Sequence, residues 1–129
     1  WIEFVDYTSD GEVKRRETRK YVKGNLVEES DEKPRGDKKE DPSYKRKVYQ
    51  YDKRNIIMEE SFDKEGELKS RTIYTYTKFD DVDTEIKYDE NGSVEEDIKY
   101  EYDDRGLKIE KRQLNSEGVI VEIKRYTYE

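Results

Sequence analysis

The sequence predicts an all-β protein, an antiparallel meander of β-hairpin repeats of about 26 residues each. The sheet is expected to be twisted and curved, and either open or closed into a barrel of about eight to ten strands. Three observations predict this. The 12 Tyr, with Val, Ile and Thr, suit a pleated, half-buried surface, whereas the best helix formers are scarce: there is no Ala and only four Leu. Gly-bearing turn segments recur at a fixed period. Tyr-x-Tyr pairs recur in step with those turns.

The period is read from three segments that align without gaps: Phe62-Asp63-Lys64-Glu65-Gly66-Glu67-Leu68, Tyr88-Asp89-Glu90-Asn91-Gly92-Ser93-Val94 and Leu114-Asn115-Ser116-Glu117-Gly118-Val119-Ile120, each 26 positions after the last. Twelve residues after each start comes a pair: Tyr74/Tyr76, Tyr100/Tyr102 and Tyr126/Tyr128. Tyr49/Tyr51 lies one unit earlier, at a spacing of 25. A second kind of turn falls between them, at Tyr51-Asp52-Lys53-Arg54-Asn55-Ile56, Phe79-Asp80-Asp81-Val82-Asp83 and Tyr102-Asp103-Asp104-Arg105-Gly106-Leu107. Asp or Asn at the head of such a turn accepts a backbone hydrogen bond from two residues on, and Gly supplies the positive φ of a G1 bulge. Asn55 is expected to stand in for Gly, because Asn tolerates the left-handed region.

These signals place strands near 1–8, 12–22, 25–30, 44–52, 56–63, 67–79, 83–89, 93–103, 107–115 and 119–128, in a single domain spanning 1–129. Alternation supports the later strands. Val94, Ile98, Tyr100 and Tyr102 point one way and Glu95, Asp97, Lys99 and Glu101 the other; Val82, Thr84, Ile86 and Tyr88 oppose Asp83, Glu85 and Lys87. Other strands carry apolar groups on both faces, such as Ile73 against Tyr74 and Tyr76. The portion 1–43 is irregular. Its stretch 29–43 holds both prolines and many charges, and reads as a long exposed loop; regular repeats occupy 44–129.

Charged residues make up 47% of the chain and hydrophobic ones 30%, so any apolar layer is thin. Without Cys there is no disulfide or thiol chemistry, and without His the commonest general base and transition-metal ligand are missing. The net charge of -7 argues against general nucleic-acid affinity. No apolar stretch approaches the length of a membrane span. The opening residue, Trp1, reads as the start of a processed or trimmed chain.

Few constellations carry chemistry. Carboxylates abound, but they fall in turns and on wet strand faces, where they serve geometry and solubility. Asp80-Asp81-Val82-Asp83 offers hard oxygen ligands for Ca²⁺ without the spacing of an EF-hand, and a plain turn is the favoured reading. Nothing resembles a phosphate loop or nucleophile elbow. No catalytic residue, cofactor or metal site is assigned, and an enzyme is not expected. Arg35-Gly36-Asp37 between the prolines is an integrin-type tripeptide, a candidate for loop recognition. The candidate binding surface is Tyr49, Tyr51, Tyr74, Tyr76, Tyr100, Tyr102, Tyr126 and Tyr128. If stacked, these rings form either the thin core or a platform for a protein or glycan. The basic runs Lys14-Arg15-Arg16 and Lys45-Arg46-Lys47 read as wet strand faces, with a weak anion-binding patch as the alternative.

The segments Tyr88-Asp89-Glu90-Asn91-Gly92, Tyr102-Asp103-Asp104-Arg105-Gly106 and Phe62-Asp63-Lys64-Glu65-Gly66, with their Tyr-x-Tyr strands, resemble the YD repeats of bacterial RHS-type proteins, over roughly residues 44–129. The resemblance implies long β-sheets that wind into shells, and bacterial surface, secreted or lipoprotein settings; it brings no catalytic residue. The expected location is extracellular, cell-surface or periplasmic. The expected function is a non-enzymatic scaffold or protein-interaction module, with glycan or ligand binding on a Tyr-lined concave face as the alternative. The last strand ends directly after a full repeat motif, which invites edge pairing with another copy or with the remainder of a longer chain.

Overall fold

The structure, a computed structural model, describes residues 1–34 and 42–129. Ten strands form one antiparallel sheet in chain order: β1 (Ile2–Tyr7), β2 (Val13–Val22), β3 (Asn25–Lys33), β4 (Ser43–Asp52), β5 (Asn55–Phe62), β6 (Leu68–Tyr76), β7 (Val82–Asp89), β8 (Val94–Tyr102), β9 (Lys108–Leu114) and β10 (Ile120–Arg125). There is no helix among the described residues. Each strand touches only its neighbours in sequence.

The sheet is open, with β1 and β10 as its edges, and the barrel alternative does not hold. A barrel must fill its interior with side chains, and this chain has little to put there. Ile98, 8% exposed, is the one buried hydrophobic residue among those described. The molecule is a single layer wetted on both faces.

The turns repeat one design. In six connections a backbone N–H and carbonyl close the loop in the same way. Asp89 N donates to Ser93 O (2.9 Å) and Gly92 N to Asp89 O (3.1 Å), and the same pair of bonds recurs from Thr8, Asp63, Thr77, Asp103 and Asn115. The side chain at the head completes the turn. Asp89 Oδ1 accepts from the N–H groups of Asn91 (2.9 Å) and Ser93 (3.0 Å), as Asp103 Oδ1 does from Arg105 and Leu107. The fourth residue takes positive φ, +81° at Gly92, which a side chain resists. At one turn the position is filled by Asp80, at φ 64°. That turn therefore runs from Thr77 to Asp81, three residues earlier than Phe79-Asp80 suggested, and β6 stops at Tyr76. In the β4–β5 turn the left-handed residue is Lys53 (φ 57°), not Asn55.

Every strand pairing except β3–β4 also carries a bulge just inside one strand. Tyr88 pairs with Val94 and Lys87 with Glu96, so Glu95 is the extra residue in the register. A bulge shifts the alternation by one residue and strengthens the local twist. Two simple alternations are corrected as a result. Val94 shares a face with Ile86 and Tyr88, while Ile98, Tyr100 and Tyr102 take the other. Val82, paired with Tyr76, belongs with the tyrosines, and Thr84, Ile86 and Tyr88 lie opposite.

The charge-rich start of the presumed 29–43 loop is strand. Residues 29–33 complete β3, and β4 begins at Ser43. Cross-strand pairing explains why so polar a segment extends. Glu29 faces Lys47, Asp31 faces Lys45, and Arg15 on β2 forks onto Asp31 at 3.0 and 2.8 Å. Arg35, Gly36 and Asp37 lie outside the described residues.

Ion pairs between strands line the second face too. Arg46 bonds Glu28 at 2.6 Å with its guanidinium 5.1 Å over the Phe62 ring, and Arg71 bonds Glu60 at 2.8 Å. Glu110, 8% exposed, lies between Arg112 (2.5 Å) and Arg125 (3.1 Å), which hold its carboxyl below the ordinary range. Each exposed pair contributes less than about 1 kcal/mol. Their number and the continuous ladder let a sheet with so thin an apolar layer hold together.

Candidate functional site

Register places Tyr49, Tyr51, Tyr74, Tyr76, Tyr100 and Tyr102 on one face of the sheet, and Tyr126 and Tyr128 follow β10, whose Lys124 shares that face through Lys111. Within each pair the two residues play different parts. The first reaches a carboxylate on the preceding strand. Tyr49 Oη donates to Glu29 (2.7 Å), Tyr74 Oη to Glu59 (3.4 Å) and Tyr100 Oη to Glu85 (2.9 Å). The second reaches a main-chain carbonyl of the preceding strand: Tyr51 to Leu26 (2.6 Å), Tyr76 to Ile56 (2.5 Å), Tyr102 to Val82 (2.7 Å) and Tyr128 to Lys108 (2.8 Å). The accepting residues lie beside the bulges, where ladder bonding is interrupted. The hydroxyls thus replace missing ladder bonds, and each bond ties one hairpin to the next.

Register turns the first tyrosines into a row. Tyr49 faces Glu59, Tyr74 faces Glu85 and Tyr100 faces Lys111. Glu59 therefore stands between Tyr49 and Tyr74, and Glu85 between Tyr74 and Tyr100. The carboxylate place beside Tyr126 is held by Lys111, which pairs with Lys124. Burial, with the neighbouring carboxylates, raises the phenols of Tyr49, Tyr74 and Tyr100; that of Tyr74 reaches about 12. In Tyr51, Tyr76 and Tyr102 burial is also the leading cause of an upward shift. A phenol with a raised pKa stays a neutral hydroxyl donor at physiological pH, which is the form these bonds need.

The six tyrosines of the three inner pairs are half-buried, whereas Tyr126 is 37% and Tyr128 48% exposed. Beside Tyr100 and Tyr102, an open groove of about 800 Å³ runs along the turn end of the sheet, lined by Phe79, Asp81, Asp83, Lys99 and Asp103. Lys108 Nζ sits 4.3 Å from the centroid of the Tyr100 ring. No group of three acidic side chains converges as a metal-ligand set among the described residues; Asp80 instead accepts from Asn55 Nδ2 at 3.0 Å.

Sequence reasoning found the tyrosines and missed their acceptors Glu29, Glu59 and Glu85. A signal was present: Glu59 and Glu85 each precede their tyrosine by 15 residues, and they lie 26 apart. The chain has no helix, among the described residues, long and apolar enough to cross a membrane. No protein-family model matches the chain, and no curated protein matches it either.

Proposed function

We propose that this chain is a non-enzymatic repeat scaffold or protein-interaction module, of the kind the YD-repeat resemblance places in bacterial secreted or surface proteins. One observation carries this reading. The hydroxyls of the inner three tyrosine pairs are all engaged by acceptors of the sheet itself, and their rings are half-buried. Rings held this way serve as the framework that spaces the strands, not as free ligand contacts. The two charged faces and the strand edges then remain for presentation.

Glycan or ligand binding is the second reading. It is favoured by the exposed Tyr126 and Tyr128 and by the groove beside Tyr100. The double variants Tyr100→Ala/Tyr102→Ala and Tyr126→Ala/Tyr128→Ala separate the two. The scaffold reading expects the first to lose sheet by far-ultraviolet circular dichroism, and expects neither wild type nor variants to bind a glycan array. Retained sheet in the first variant, with array binding by the wild type that either variant abolishes, would replace the scaffold reading by the second.

A further inference from the structure

The two edges of the sheet hold most of its exposed large apolar side chains. Large apolar side chains crowd onto them: Trp1 (69% exposed), Ile2 and Phe4 (51%) at β1, and Val119, Ile120, Val121, Ile123, Tyr126 and Tyr128 at β10. Both strands also present an unpaired row of backbone donors and acceptors.

The repeat says which strand would fit β10. In the interior, each Tyr-x-Tyr strand is followed by the opening strand of the next unit: β4 by β5, β6 by β7, β8 by β9. Aligned on the turn glycines Gly11, Gly66, Gly92 and Gly118, β1 is itself such an opening strand. Phe4 stands where Glu59, Glu85 and Lys111 stand, the place facing the first tyrosine of a pair. Asp6 stands where Ser61, Lys87 and Gln113 stand, facing the residue two before that tyrosine.

We propose that β10 of one copy takes β1 of a second copy in this register. The strands then meet antiparallel, with Phe4 facing Tyr126, Asp6 facing Lys124, Val5 facing Arg125 and Tyr7 facing Ile123. An aromatic pair, an opposite-charge pair and an apolar pair coincide without adjustment, and Trp1 falls opposite Tyr128, where Ile56, Val82 and Lys108 face the second tyrosine inside the sheet. Pairing β10 with β10 of another copy also sets Glu122 against Lys124, but it leaves the apolar β1 edge bare. The head-to-tail contact covers both edges, continues the repeat across the junction and, being heterologous, grows open chains of copies. This inference concerns the edges and is independent of how the faces are used.

Sedimentation velocity of the 129-residue chain over a wide concentration range tests it. The expected result is mass rising in whole-chain steps, with the emission of the single Trp moving to shorter wavelength as Trp1 is covered. Asp6→Lys alone and Lys124→Asp alone should each weaken association roughly five- to tenfold, and the two together should restore it. Because the chain has no Cys, Phe4→Cys and Tyr126→Cys proteins mixed under oxidant should cross-link to each other. A monomer at every concentration overturns the proposal. So does an effect of Lys124→Asp that Asp6→Lys neither shares nor rescues, which would mark β10–β10 pairing.

Discussion

Removing a single hydroxyl from Tyr102 should cost about 1 kcal/mol, and removing the same atom from Tyr128 much less. Both hydroxyls donate to a main-chain carbonyl of the preceding strand, at 2.7 and 2.8 Å, so the bond geometry is held constant. What differs is access to water: Tyr102 is half-buried and Tyr128 is 48% exposed. In Tyr102→Phe the Val82 carbonyl loses its donor where water enters poorly, and the net loss is that of a typical intramolecular hydrogen bond, about 1 kcal/mol. In Tyr128→Phe water replaces the donor, and the loss falls below about 0.5 kcal/mol. Tyr102→Ala removes the ring as well. A ring that buries roughly 100 Å² of apolar surface adds about 2.5 kcal/mol, for a total near 3 to 4 kcal/mol. Urea unfolding monitored by circular dichroism reads the order, with the m value unchanged in the two Phe variants. Equal losses in Tyr102→Phe and Tyr128→Phe, or a Tyr102→Ala no worse than Tyr102→Phe, would refute the claim that the tyrosines are a bonded framework.

The remaining predictions concern turns, pH and Lys111. Gly92→Ala should destabilise by about 1–2 kcal/mol although nothing lies within 4 Å of the added methyl, because its φ is +81°; Asp80→Gly should stabilise by up to about 1 kcal/mol for the converse reason, and thermal unfolding measures both. The carboxyls of Asp63 and Asp103 are held below their ordinary value near 3.8, chiefly by the turn N–H groups they accept from. Their contribution is therefore complete above that value and is lost as pH falls through the depressed folded values, so an acid titration of stability in Asp63→Asn/Asp103→Asn should show a weaker fall below pH 4 than wild type. The raised phenols carry the opposite sign: the stability from Tyr49, Tyr74 and Tyr100 is complete below their ordinary value near 10.0 and is lost as pH rises through the raised ones, about 12 for Tyr74. Tyrosinate absorbance from these raised phenols should accordingly appear together with loss of sheet. Lys111→Glu supplies the carboxylate that Tyr49, Tyr74 and Tyr100 have and Tyr126 lacks; hydrogen exchange should slow in β10.

The order of ten strands was legible because it rests on local chemistry. Asp89 and Gly92 specify a reversal whatever surrounds them, and the period of 26 repeats that instruction. Where the local rule had a substitute, the reading slipped. Thr77 does the work of Asp and Asp80 that of Gly, so the turn lies three residues before the one that Phe79-Asp80 suggests. The bulges were hidden for a related reason. Glu95 looks like an ordinary polar strand residue, and only the pairing of Tyr88 with Val94 and Lys87 with Glu96 reveals it as the extra one. The strand at 29–33 was missed because its composition is that of a loop; Arg15, Lys45 and Lys47, far away in sequence, are what let Glu29 and Asp31 extend. At the candidate site the tyrosines announced themselves by spacing, whereas the division of labour within each pair depends on which acceptor the preceding strand offers.

That every strand leans only on the one before and the one after makes length an adjustable quantity. Excising residues 64–89 would join Asp63 to Glu90 and recreate an intact Asp-Glu-Asn-Gly reversal, with β5 meeting β8 where it had met β6. No distant partner would notice the cut. A polymer of this kind can be shortened or extended in whole periods, like a tape measure marked in hairpins, and its reach is set by how many marks it carries.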